Sequence, residues 1–456
     1  MRLTNLNCDT DIGASAWCLG IDGCRLLMDA GTHPKRDGRE SLPLYREIRD
    51  ETLDAIALSH CHHDHVGSLP VAMREHPQAH VLMTELSYFL VERVLHNSVN
   101  VMKRQREELG IPEYPLFTHR EVDELAPVFQ GFKYNREVEW AGFDHRGGHS
   151  PTLEFYDAGH ALGSAGIMVR GERESLFYTG DVCFQDQTIL RGARFADVRA
   201  DVLVMETTRG NRATPADLSR EAEIARLVRT IREVQDGGGS VLIPSFALGR
   251  TQEILAVLAL AMRSGDLPRQ TVHIGGLGRV FTEIYDLEAH RANRNHTNLV
   301  LNESLPLEVL DPRKAEKMKL GKGRLMVMTA GMLSEGTAAH VLAARMLEEE
   351  QHGILFVGYA DPETPGGRLK AANPGERFFF SETYGELQHR CRVEQFDLTA
   401  HANREELLDF VGGVEPRSVV LGHGDEDARA WFAEQIQARH PKITVHQPTP
   451  GEALDL

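Results

Sequence analysis

Ser59-His60-Cys61-His62-His63-Asp64-His65-Val66-Gly67 places four candidate metal ligands, His60, His62, Asp64 and His65, within six residues. The stretch follows Leu53-Asp54-Ala55-Ile56-Ala57-Leu58, a short apolar run of the kind that forms a buried strand. In extended chain side chains alternate faces, which projects His60, His62 and Asp64 to one side. A bend opening a helix-like segment near Val66 then turns His65 inward. Three imidazoles and a carboxylate at the end of a buried strand are costly to desolvate together and repel when protonated, unless they share a cation. The bland alternative is a loop rich in histidine by chance, and the regular spacing argues against it.

A zinc site takes about four ligands and, when catalytic, keeps a position for water. Further ligands are therefore expected at other strand ends. Glu154-Phe155-Tyr156-Asp157-Ala158-Gly159-His160 offers His160 on a glycine-bracketed loop, and Ser175-Leu176-Phe177-Tyr178-Thr179-Gly180-Asp181 ends on Asp181. Ser418-Val419-Val420-Leu421-Gly422-His423 repeats the strand-then-turn setting, and Cys24-Arg25-Leu26-Leu27-Met28-Asp29 ends on an acid of the kind that orients metal-bound histidines from behind. Singly, His160 or His423 reads more readily as a hydrogen-bonded loop histidine. Together the residues form one constellation.

That constellation resembles the signature motifs of the metallo-β-lactamase superfamily. Asp201-Val202-Leu203-Val204-Met205-Glu206-Thr207-Thr208 resembles the acidic motif A of its β-CASP nucleases, and Pro244-Ser245-Phe246-Ala247-Leu248-Gly249-Arg250-Thr251-Gln252-Glu253 their FALGR-x-QE segment. Phe396-Asp397-Leu398-Thr399-Ala400-His401-Ala402-Asn403 is similar to motif B, and His423 falls at motif C. The match runs in order from about Asp11 to His423 and is most similar to the short bacterial and archaeal ribonucleases and the mRNA 3′-end cleavage endonuclease. Two departures stand out. Arg209 replaces the family's usual Tyr, and Pro362 and Pro365 stiffen the turn after Gly358-Tyr359, where the family has EGT-x-G.

The resemblance implies an α/β fold, a metallo-β-lactamase αββα sandwich with an inserted Rossmann-like β-CASP domain. It implies two Zn2+, with Mn2+ as the alternative: His60, His62 and His160 on one ion, Asp64, His65 and His423 on the other, and Asp181 bridging. Asp64 is counted with the catalytic residues, and Asp29 supports the ligands from behind. The implied reaction is hydrolysis of RNA phosphodiester bonds by a hydroxide held on the dinuclear centre. His401, oriented by Glu206, protonates the leaving oxygen. A histidine at motif C is similar to the RNA-directed branch, so single-stranded RNA is the expected partner. A homodimer is a compatible assembly. Other readings are a DNA-directed nuclease, a small-molecule hydrolase of the same fold, and a metal-free scaffold, though no ligand position is empty.

The remaining sequence is read without the family. The 456 residues suffice for two cores, and 41% hydrophobic content excludes disorder. No apolar run approaches a membrane span of about 20 residues, and Met1-Arg2-Leu3-Thr4-Asn5 lacks a signal-peptide core. Cys8, Cys18, Cys24, Cys61, Cys183 and Cys391 form no CxxC pair, which fits a reducing cytoplasm. The formal charge of −17 is unusual for a nucleic-acid binder; it leaves room for a local positive cleft within an acidic surface and argues against tight, sequence-independent coating of RNA.

Along the chain, strand-like runs dominate Gly20–Leu58 and Leu153–Asp181, and Glu85–Glu124 is largely helical, interrupted by Pro112 and Pro115. From Leu218 to Val234 an amphipathic stripe of Ile224, Leu227, Val228 and Ile231 begins a series of alternating strands and helices, which implies a parallel sheet. The expected division is 1–208 and 389–456 for the first domain and 209–388 for the insert. Ser245, Arg250 and Arg368 are the candidate substrate-binding residues. Ser245 lies at a strand's carboxyl end, Arg250 opens a helix within reach of a phosphate or of a helix-terminal acid, and Arg368 follows a glycine-rich turn.

Overall fold

Period-two alternation sets the layers. The computed structural model describes residues 1–142, 148–215, 219–321 and 323–456. One seven-stranded sheet contains, in spatial order, Ala453–Asp455, Arg2–Asn5, Trp17–Ile21, Cys24–Met28, Ala55–Ala57, His80–Thr84 and Phe129–Phe132. A second contains Thr444–His446, Ser418–Gly422, Val202–Glu206, Ser175–Tyr178, Ala165–Arg170, Thr152–Asp157 and Val138–Glu139. Phe155, Ile167, Val169, Leu176, Tyr178 and Val204 of the second sheet share one core with Leu3, Trp17, Leu19, Leu26 and Met28 of the first. The alternate residues Met168, Phe177, Leu203 and Met205 face the other way, onto Leu407 and Val411 of helix Arg404–Val414 and Phe432 and Ile436 of helix Glu426–Arg439. Helix Glu85–Leu109 packs on the outer strands of the first sheet. This is the expected αββα sandwich.

Several expectations are refined. The run Gly20–Leu58 holds strands only at its ends. Between Asp29 and Asp54 it has two short 3-10 turns, Gly38–Ser41 and Tyr45–Ile48, where Pro34 and Pro43 offer no ladder donor. The alternation argument for the histidine run stops at His62, whose backbone is still extended. His63–Val66 is a helical turn, so Asp64 and His65 are presented by a helix and not by a strand. The expected long helix runs Glu85–Leu109, with Thr84 capping the Ser87 N–H, and stops at Gly110 with φ +68°.

The chain divides into two units: Met1–Asp186, Gly192–Thr214 and His401–Leu456 form the first, and Gln187–Arg191 with Pro215–Ala400 the second. The boundaries differ from 209 and 388 for local reasons. Thr208 and Asn211 hydrogen-bond His423 and Asp427, keeping that segment in the first unit to Thr214. Strand Arg392–Gln395 pairs with Gly353–Phe356, keeping the chain in the second unit to Ala400. The second unit is built on a six-stranded sheet, ordered Leu307–Val309, Val272–Ile274, Leu325–Met328, Val241–Pro244, Gly353–Phe356 and Arg392–Gln395. Every pairing in it is parallel, as a Rossmann-like unit requires. Leu218, where the amphipathic stretch was read to begin, lies outside the described residues. The helix runs Arg220–Asp236 and buries Leu227 and Ile231, while Ile224 and Val228 stay half-buried.

Candidate active site

All the chemistry-bearing residues described below for the metal clusters and the His401 pair lie in the first unit, and several sit just past a strand's carboxyl end. Asp29 follows Cys24–Met28, His60 follows Ala55–Ala57, His160 follows Thr152–Asp157, Asp181 follows Ser175–Tyr178, and His423 follows Ser418–Gly422. Glu206 is the last residue of Val202–Glu206. The turn carrying Asp64 and His65 is pinned by the backbone: Ser15 N–H donates to Asp64 O at 2.9 Å and Ala30 N–H to His65 O at 2.8 Å. At Gly31 a Cβ would lie 1.7 Å from Asp64 O, so only glycine permits this approach.

Two clusters of donor atoms result. His60, His62, His160 and Asp181 form one, and Asp64, His65 and His423 the other, with donor atoms in each within 4.8 Å of one another. In the first, His160 Nε2 is 3.0 Å from His62 Nδ1, and Asp181 Oδ2 is 3.6 Å from His60 Nε2 and 3.7 Å from His160 Nε2. In the second, His65 Nε2 is 3.2 Å from His423 Nε2, and Asp64 Oδ2 is 3.3 Å from His423 Nε2. Asp181 Oδ1 faces this cluster, 3.4 Å from His65 Nε2 and 3.3 Å from His423 Nδ1. One carboxylate thus divides its two oxygens between the clusters.

The donor set fits zinc. Imidazole nitrogens and carboxylate oxygens are its ligands. His60 Nε2 and Asp181 Oδ1 are buried with no hydrogen-bond partner, which is costly for a polar atom unless an ion completes it. The electrostatics point the same way. Burial, with the like charges of neighbouring imidazoles, pushes His60 well below the ordinary histidine value. Burial would raise Asp181, but His423, His65 and His401 outweigh it and hold its carboxyl well below the usual range. Asp64 is held low against burial by His65 and His423.

Behind His65 lies Asp29, fully buried, whose Oδ2 accepts from His65 Nδ1 at 2.7 Å, as its strand-end position suggested. Two other partners of Asp29, Ser59 and Tyr178, were not singled out from the sequence. The only signal was their place beside the motifs.

His401 and Glu206 meet as expected from motifs A and B. His401 Nδ1 lies 3.2 Å and 3.1 Å from the two Glu206 oxygens, and Glu206 Oε1 also accepts from Val182 N–H at 2.7 Å. The other ring nitrogen, Nε2, is 4.0 Å from Asp181 Oδ2, and the ring lies 4.6 Å from that of His160. Burial favours the neutral ring, but the charges of Glu206 and Asp181 outweigh it and raise His401 above the ordinary histidine value.

The three candidate substrate-binding residues all lie in the second unit. Ser245 is buried with its hydroxyl 2.8 Å from Thr251 Oγ1. Arg250 is 7% exposed, and its guanidinium bonds the Leu398 carbonyl and the Gln187 side chain. These contacts tie the first turn of its helix to the segments carrying Leu398 and Gln187. Arg368 is half-buried, donating to Phe380 O at 3.4 Å with its guanidinium 5.1 Å from the Phe379 ring centre.

Three family models match the chain in succession: the metallo-beta-lactamase superfamily over residues 9–215, the Beta-Casp domain over 251–369, and the Zn-dependent metallo-hydrolase RNA specificity domain over 386–448. The chain belongs to the β-CASP family of the metallo-β-lactamase fold. Among β-CASP relatives, the ribonuclease TTHA0252 of Thermus thermophilus is 29% identical over 98% of each chain. The probable RNase MJ4 of Methanocaldococcus jannaschii is 27% identical over 95% of this chain and 96% of that one. The endoribonuclease YSH1 of Eremothecium gossypii is 25% identical over 100% of this chain, which spans only 60% of that relative. A crystal structure of a protein of unknown function from Enterococcus faecalis, 15% identical, matches with a TM-score of 0.59 over 100% of this chain and 99% of that one, supporting the fold.

Proposed function

We propose that this β-CASP protein is a metal-dependent ribonuclease that hydrolyses phosphodiester bonds of single-stranded RNA, using two zinc ions or, alternatively, manganese. The observation that carries this reading is the His401–Glu206 pair set beside a carboxylate that faces two histidine clusters. The match of residues 386–448, which include His401 and His423, to an RNA specificity domain favours RNA over DNA and over small-molecule esters. The ribonuclease names of the relatives agree.

His60, His62, His160 and Asp181 would hold one ion, and Asp64, His65, His423 and Asp181 the other. Zinc in such a site supplies Lewis-acid stabilisation of phosphoryl charge and activates water at neutral pH. The remaining work falls to the chain. Glu206, fixed by Val182 N–H, keeps the His401 proton on Nδ1 and favours the imidazolium. Nε2 is then the proton donor on the side of Asp181. The water oxygen gives up one proton to solvent and bonds to phosphorus while the bond to the leaving oxygen breaks, and His401 Nε2 delivers its proton to that oxygen. A reducing compartment is part of the proposal. The six cysteines are joined in no disulfide, and none of the described helices is long and apolar enough to cross a membrane.

The test is cleavage of end-labelled RNA and DNA oligomers, with and without chelator, by the wild type and His401→Ala. The variant should keep its metal and lose about 10²–10⁴-fold in rate on RNA. Unchanged cleavage would remove His401 as the acid, and chelator-resistant cleavage would remove the metal.

A further inference from the structure

We infer that Asp29 and Ser59 form one orienting unit shared by both ion clusters, with Ser59 relaying Asp29 to His60 while Asp29 holds His65 directly. The inference rests on the ribonuclease reading only in taking the two clusters as ion sites. It follows from counting protons around Asp29. A carboxylate can only accept. Its Oδ2 lies 2.7 Å from Ser59 Oγ, 2.7 Å from Tyr178 Oη and 2.7 Å from His65 Nδ1, so all three donate. Its Oδ1 receives the Ser59 N–H at 2.7 Å.

The Ser59 hydroxyl has one proton, and it is used on Asp29. Its oxygen therefore offers only lone pairs to His60 Nδ1 at 3.1 Å, and His60 must carry its proton there. His60 and His65 are thus both N–H at Nδ1, and their Nε2 atoms point to the Asp181 carboxylate at 3.6 Å and 3.4 Å. One of these histidines belongs to each cluster. A ligating histidine normally donates its other N–H to a fixed acceptor, which sets tautomer and aim. Here a single buried anion does this for both ions, once directly and once through a hydroxyl. Water is not available as a substitute, since Asp29 and Ser59 are 0% exposed and Tyr178 is 3% exposed. Ser59 and Tyr178 are therefore positioning residues, acting on the ions only through Asp29 and the histidines.

The experiment compares the wild type, Ser59→Ala and Tyr178→Phe as full-length proteins, with two readouts. Zinc affinities are measured by chelator competition, and the His60 ring nitrogens are read by 15N NMR of the metal-stripped protein. Ser59→Ala should weaken one of the two zinc equivalents by about 10–100-fold while the other holds, and His60 should lose its fixed Nδ1–H form. Tyr178→Phe removes one of several donors and should weaken zinc less, leaving His60 as it was. A wild-type His60 protonated at Nε2, or a Ser59→Ala protein with unchanged zinc affinities, overturns the inference. If the wild type takes up neither zinc nor manganese, the ribonuclease reading falls, and the tautomer of His60 still decides this one.

Discussion

Each unit buries a charge network, and the two solve the desolvation problem in opposite ways. In the second unit Glu253 is fully enclosed and fully answered: it accepts from Arg220 Nη2 at 2.7 Å and from the N–H groups of Thr188 and Ile189 at 2.8 Å and 3.0 Å. Burial opposes its charge, but Arg220 and Arg250 outweigh burial and hold the carboxyl down to about 2. In the first unit Asp181 is 3% exposed and His60 1%, yet Asp181 Oδ1 and His60 Nε2 find no hydrogen-bond partner. Burial and charge alone do not separate a structural network from a ligand site. Between these two carboxylates the hydrogen bonding does: both Glu253 oxygens accept from the chain, whereas Asp181 Oδ1 does not.

The sharpest way to break this contrast is Asp181→Ala. It removes the carboxylate that, among the described residues, faces both clusters, so the purified protein should retain neither ion and RNA cleavage should fall to background. Two equivalents of metal by mass spectrometry would refute the bridging role. Glu253→Ala should have the opposite profile. Removing one partner of a buried pair typically costs about 3–5 kcal/mol, so the thermal midpoint should drop clearly while metal content per folded protein stays the same. Lost metal in that variant would erase the distinction.

Acid should discriminate next. Because the folded value of Glu253 lies below its unfolded value of 4.5, its contribution is complete above pH 4.5 and disappears as pH falls towards 2. A depression of that size corresponds to about 3 kcal/mol. Stability measured by denaturant titration should decline over this window, and Glu253→Gln should flatten that part of the profile. The smallest effect concerns Arg250→Lys. Losing the two-armed contact to Leu398 and Gln187 should lower stability by about 1–2 kcal/mol and leave the salt dependence of RNA binding unchanged. A shallower salt slope would restore Arg250 as a phosphate contact.

Much of the site was legible because its signals are local. A histidine run after an apolar strand, and single acids or histidines after other strands, describe positions that β-structure brings to one edge. His160, Asp181 and His423 meet the run where that logic places them. Arg250 was not legible. An arginine opening a helix three residues before an acid fits a phosphate anchor and a buried pair equally well, and only the arrival of Arg220, Gln187 and Leu398 distinguishes them. The insert's far boundary moved from 388 to 400 for a similar reason: Arg392–Gln395 becomes part of the second sheet by pairing with a partner some 40 residues away.

Residue order alone was enough to expect the alternation of strands and helices, an inserted parallel sheet and the candidate ligands, because periodicity and ligand chemistry are written in neighbouring residues. Which side chains answer the Arg250 guanidinium, and how Tyr178 comes to touch Asp29 across 149 positions, were decided only by the folded chain. Those are facts of through-space approach, and a hydrogen bond or an ion-sized gap exists only once distant segments have packed.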